Sequence, residues 1–104
     1  MIADKVKEYW DKEYVWAGDE DLPKNTLCEW GKEEILDSLP EFLEGMDEDA
    51  YTESIKLRAV SNNIYSAICE FMDLSKVEIL ISRKQTFGGD YAIVDKVLFL
   101  SNGD

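Results

Sequence analysis

The spacing of apolar residues changes partway along this chain, and the change predicts its elements. Ile2, Val6, Trp10 and Tyr14 recur at every fourth position with lysines and acids between them. That is the period of an amphipathic helix over about 2–13. Tyr14-Val15-Trp16 offers a second reading, a short strand, because all three residues favour extended backbone. Gly18-Asp19-Glu20-Asp21-Leu22-Pro23 is a loop by composition. Thr26 with Glu29 three residues on is a capping-box pattern. It predicts a second helix over about 26–39 with Ile35, Leu36 and Leu39 inward. Ser38 and Glu41 flank Pro40 and predict a separate short helix over 40–44, stopped by Gly45. Asp47-Glu48-Asp49 starts the longest expected helix, about 49–72, with Val60, Ile64, Ala67, Ile68 and Phe71 as its apolar stripe.

The period then drops to two. Val77, Ile79 and Ile81 alternate with Glu78, Leu80 and Ser82, and Gly88-Gly89-Asp90 marks a turn before an apolar strand over 91–100. The expected fold is α+β, with helices at about 2–13, 26–39 and 49–72 packed on a small antiparallel sheet that ends in a hairpin, about 77–83 and 91–100. Two strands alone are marginal. A third is expected beside the last one, either 14–16 or the edge of another chain, which would make a homodimer through the C-terminal strand. No repeat or Gly/Ser linker divides the sequence, so residues 1–104 read as one domain.

Composition narrows the function classes. Hydrophobic residues make up 45% of the 104, enough to fill a core of this size. No apolar run reaches the roughly 18–20 residues that span a bilayer, and the first residues carry charge from Asp4 on, unlike a signal peptide. A cytoplasmic protein is expected. Cys28 and Cys69 have no metal-site spacing and no histidine to join them, so they read as reduced structural thiols.

Charge changes the picture most. The net charge is −12, with 17 acids and five lysines in residues 1–53, against six acids and six Lys or Arg in 54–104. The whole excess lies in the first half. Such a face repels phosphates instead of releasing their counterions, and it avoids anionic membranes for the same reason. The expected partner is a basic protein surface, with no direct nucleic acid and no membrane.

Catalytic chemistry finds little support. The chain has no histidine, hence no ordinary general base and no activator for a Cys or Ser nucleophile. Gly88-Gly89 lacks any phosphate-loop context, and neither Asp47-Glu48-Asp49 nor the segment from Asp19 fits a calcium loop. The expectation is a non-enzyme with no cofactor and no metal, although a magnesium site made only of distant carboxylates is left open by sequence.

The outstanding feature is an acidic series: Glu29, Glu33, Asp37, Glu41, Glu44 and Glu48, with Glu34, Asp47 and Asp49 beside it. On a helix, residues four apart share a face about 6 Å apart in rise, on the scale of successive phosphates along a nucleic-acid strand. All of these but Glu34, eight residues, are the candidate partner-binding site. A solvated face that only keeps the protein soluble is the plainer reading. Trp30, Phe42 and Met46 interleave with the acids as core residues or as apolar anchors.

Several segments carry a resemblance: Leu22-Pro23-Lys24, Cys28-Glu29, Glu33-Glu34-Ile35, Leu39-Pro40 and above all Ile55-Lys56-Leu57-Arg58-Ala59-Val60-Ser61-Asn62-Asn63-Ile64. Together they resemble the staphylococcal-type uracil-DNA glycosylase inhibitors, small acidic proteins that mimic DNA and plug the enzyme's DNA groove. An extra segment between Pro40 and Ile55 is needed, and the C-terminal hairpin has no counterpart. The resemblance implies a phage- or mobile-element-encoded inhibitor of a nucleic-acid-acting enzyme, in an anti-defence or glycosylase-inhibitor role. Two other classes fit the same charge: an immunity protein covering a cognate nuclease toxin, and a scaffold or subunit domain whose acidity only solubilises it.

Overall fold

The computed structural model describes residues 1–12 and 24–100. The expected strand at 14–16 and the loop at 18–23 lie outside the described residues. In chain order the elements are α1 (Ile2–Asp11), β1 (Thr26–Glu29), α2 (Lys32–Met46), β2 (Thr52–Ser61), β3 (Ile64–Phe71), β4 (Lys76–Thr86) and β5 (Gly89–Leu100). The fold is α+β: the strands form one antiparallel sheet in the order β1-β5-β4-β3-β2, and both helices contribute to a core on one of its faces.

Alternation along the strands sets the two faces. Ala67, Cys69 and Phe71 of β3, Val77, Ile79 and Ile81 of β4, and Ala92, Val94 and Val97 of β5 point inward and are buried. The step from 94 to 97 is odd because a bulge between Leu80 and Ile81 on β4 leaves Asp95 as the extra residue on β5. Ile35, Leu39, Phe42, Leu43 and Met46 of α2 close over this face, all buried, at the i, i+4, i+7, i+8 and i+11 positions of one helical stripe. Helix α1 adds Ala3 and Val6, and its Trp10 ring meets Phe42 edge-on at 6.3 Å.

Three expectations about elements are corrected. Residues 49–72 are not a helix: they form the hairpin β2–β3, turned at Asn62-Asn63, with Ile55 opposite Cys69 and Leu57 opposite Ala67. Ile64, Ala67, Ile68 and Phe71 fit a helical period, but the sheet splits them between its faces: Ala67 and Phe71 lie on the core side with Tyr65 and Cys69, and Ile64 and Ile68 on the other. The Thr26–Glu29 pattern caps nothing. Those residues form the short edge strand β1, and the helix starts only after Gly31, at Lys32. Pro40 does not begin a new helix either, but lies inside α2. An interior proline removes one hydrogen bond and costs about 3 kcal/mol. The five buried side chains on both sides of it offset that cost, each contributing roughly 1.5–3 kcal/mol on burial.

The start of α1 is capped from far away in sequence. Asp73 accepts the Ile2 N–H at 2.8 Å, and the Ser75 hydroxyl accepts the Ala3 N–H at 3.0 Å while donating to Asp73. Two of the helix's free donors are satisfied this way.

Candidate functional site

Helix α2 crosses the sheet with its apolar stripe down, and the same periodicity turns its acids outward. Glu33, Asp37, Glu41 and Glu44 succeed one another at spacings of four, four and three, all exposed, on one unbroken helix. The row spans about 16 Å at 1.5 Å per residue. Continuity through Pro40 makes the row longer than two separate helices would allow. Asp47, Glu48 and Asp49 prolong it past the end of the helix, where Asp47 is half-buried and accepts the Asp49 N–H at 2.9 Å. Among the described residues, none of these acids pairs with a cation.

Glu29 does not join the row as predicted. It sits exposed on β1, opposite Tyr91, so its spacing of four from Glu33 has no helical meaning. Gly31 separates the two acids. A side chain at Gly31 would collide with the Glu34 carboxylate, which folds back over the helix start. Seven of the eight predicted site residues therefore follow α2 and its exit, and the eighth flanks its entry. Trp30 packs on Tyr65 with ring centroids 5.0 Å apart, and Phe42 and Met46 are buried, so the three interleaved apolar residues belong to the body of the protein.

Five of the eleven cations lie on the opposite side. Strand register and alternation put Lys56 and Arg58 of β2, Lys76 and Lys84 of β4, and Lys96 of β5 on the face of the sheet turned away from the helices. Glu70 and Glu78 share that face; Glu70 pairs with Lys76 at 3.8 Å, and Glu78 accepts a hydrogen bond from Ser66. Arg83 points to the helix side, where it pairs with Asp90 and lies 6.0 Å from the Trp30 ring centroid. The acid excess is thus carried on the helical side, where Lys5, Lys7, Lys12 and Lys32 are outnumbered, while the outer sheet face mixes charges of both signs.

The two cysteines are free. Cys28 on β1 and Cys69 on β3 are three strands apart, about 14 Å, well beyond the roughly 4.4–6.8 Å that a disulfide needs. Burial pushes the Cys28 thiol up to about 11, partly opposed by a hydrogen bond with Ser38 and assisted by the charges of Glu34 and Glu29. Burial alone pushes Cys69 up to about 12. Both stay protonated near neutral pH. No group of three or more Cys, Asp or Glu side chains among the described residues could hold a metal ion.

Residues that pattern analysis passed over lie beside the last acids of the row. Tyr51 follows Asp49 closely and is 54% exposed; Thr52 pairs with Phe71, which brings Tyr51 next to the β3–β4 turn. In that turn Met72 and Leu74 are each 62% exposed. Leu74 has φ +70° and donates its N–H to the Phe71 carbonyl at 3.0 Å. This is the left-handed position of a three-residue hairpin loop, normally filled by glycine; a leucine there costs about 1–2 kcal/mol. Reading 64–71 as a strand would have exposed Met72-Asp73-Leu74 as a turn with the wrong residues in it.

No helix among the described residues is long and apolar enough to cross a membrane. Comparison with protein-family models, with curated proteins and with solved structures finds no match.

Proposed function

We propose that this protein is an inhibitor that lays the acidic face of α2 into the basic groove of a nucleic-acid-acting enzyme and so excludes the nucleic acid. One observation carries the reading: Glu33, Asp37, Glu41 and Glu44 form a single exposed row, held apart from every salt-bridge partner among the described residues. A row kept only for solubility gains nothing from that separation, since interspersed charges solubilise as well and repel less. A row that replaces phosphates needs its charges uncompensated. The spacing of about 6 Å along the helix suits groups in a groove that hold successive phosphates, and a fixed helix presents them without the ordering cost of a flexible chain. The resemblance to uracil-DNA glycosylase inhibitors points the same way and names a first target class.

The test is a panel of three enzymes, each assayed on a labelled oligonucleotide: a uracil-DNA glycosylase, a restriction endonuclease and a non-specific nuclease. The reading predicts inhibition of at least one, competitive with added DNA, and relieved by Glu33→Gln, Asp37→Asn, Glu41→Gln and Glu44→Gln together. Failure to inhibit any of the three, or inhibition unaffected by DNA concentration, contradicts it.

A further inference from the structure

We infer that the exposed apolar cluster Tyr51, Met72 and Leu74 is the anchor of the same interface, seated on an apolar ledge at the end of the partner's basic groove. The inference rests on the reading of α2 as the partner-facing element and adds the part of the surface that supplies apolar contact. An interface made only of carboxylates would have a rim without a centre, because binding energy concentrates where apolar side chains are fully desolvated. The row on α2 offers no such centre: its apolar side chains face the core.

The cluster is continuous with the row. Asp47, Glu48 and Asp49 lead into Ala50 and Tyr51 through a tight exit in which Ala50 donates to Asp47 and Tyr51 to Asp49, both at 2.9 Å. The Thr52–Phe71 pairing then sets the β3–β4 turn alongside. Acids ring the cluster on its near sides: Asp47, Glu48 and Asp49 from the helix exit, Glu53 from β2 and Asp73 within the turn. That ring selects a partner whose ledge is bordered by Lys and Arg, as the mouth of a nucleic-acid groove is, over an uncharged or acidic one.

The turn itself argues that exposure here is retained for use. Its loop geometry asks for glycine, yet it holds a leucine, in a left-handed conformation and largely in water. That side chain is no part of the core. The turn is also held rigidly, since Phe71 donates to the Ser75 carbonyl at 2.9 Å and Asp73 is tied to the start of α1. A strained, exposed and fixed apolar residue is the expected signature of a binding anchor.

Three variants test this on the full chain: Leu74→Asn, Met72→Ser and, as control, Phe87→Ala. Asn tolerates the left-handed conformation, so Leu74→Asn is expected to hold or raise the melting temperature while weakening inhibition of whichever panel enzyme responds by tenfold or more. Met72→Ser is expected to weaken it by threefold or more at unchanged melting temperature. Phe87 is fully exposed at the opposite end of β4, in the β4–β5 turn, and its loss should leave inhibition unchanged. If Leu74→Asn and Met72→Ser inhibit like wild type while the fourfold α2 variant does not, the anchor is refuted and the acidic row stands. A drop in melting temperature for Leu74→Asn overturns the strain argument and the inference with it. Equal losses in all three variants would also overturn it, since apolar exposure anywhere would then suffice. If wild type inhibits none of the panel, both readings fall together.

Discussion

At the scale of single residues, Asp73 does more than its exposed position suggests. Slight burial acts to raise its pKa, but the Ser75 hydroxyl, the Ile2 and Ser75 amides and the nearby N-terminal ammonium outweigh this and hold the carboxyl below the ordinary carboxylate range. A lowered folded-state pKa means that the unfolded chain binds the proton first. The contribution to stability is therefore complete above the unfolded value, near 3.9, and is lost as pH falls through the folded value. Asp73→Ala should cost about 0.5–2 kcal/mol at pH 7, the usual worth of a helix cap. It should also flatten the loss of stability between about pH 4 and 2. Urea melts across that range check both; an equal acid limb in wild type and variant would dismiss the cap. No local pattern could reveal the cap on α1, because the Ile2 amide and Asp73 are 71 residues apart in sequence.

At the scale of elements, α2 reconciles two conflicting demands. Its inner stripe stabilises the fold, while its outer row of acids at spacings of three and four opposes helix formation by about 0.2–0.5 kcal/mol per pair. The helix dipole divides that cost unevenly. Glu33 lies in the first turn, where negative charge is favourable, whereas Glu44 lies in the last turn, which has no basic residue to offset it. Glu44→Gln should therefore stabilise the protein by about 0.3–1 kcal/mol at low salt, and Glu33→Gln should not. Denaturation of the two single variants tests this, and equal effects would contradict the account of the row as uncompensated.

How much of these elements could be read beforehand follows from the physics of each. Helix α1 and the β4–β5 hairpin were legible because their patterns, Ile2-Val6-Trp10 and Val77-Ile79-Ile81, fit one period only. The acids of α2 were legible as a helical face, but its limits were not. The capping pattern at Thr26 belongs to an edge strand, and a proline tolerated inside a helix is invisible to local rules when tertiary packing outweighs its cost. The hairpin β2–β3 was hidden because half of its apolar residues satisfy a helical period too, and because Asn62-Asn63 is a weaker turn signal than Asn-Gly.

For the whole molecule, what matters is where charge lies relative to the layers. The helices and their exit carry the acid excess, the outer sheet face carries five of the eleven cations, and a long-range field directed from one side follows. A field of that kind steers encounter with a basic groove and acts chiefly on the association rate. The comparison needed is between sites, with total charge held equal. Glu70, Glu78 and Asp90 are unsuitable controls because each is engaged within the fold, and Glu53 because it borders the apolar anchor; Asp95 is exposed and unpaired among the described residues. The most direct measurement is the association rate with the inhibited enzyme, followed by stopped flow between 20 and 150 mM salt, for wild type, Asp37→Asn and Asp95→Asn. A working acidic row predicts a wild-type rate that falls at least about tenfold over that range, is lowered at low salt by Asp37→Asn, and is little changed by Asp95→Asn. A rate that varies less than twofold with salt, or that both variants lower equally, would contradict nucleic-acid mimicry by α2.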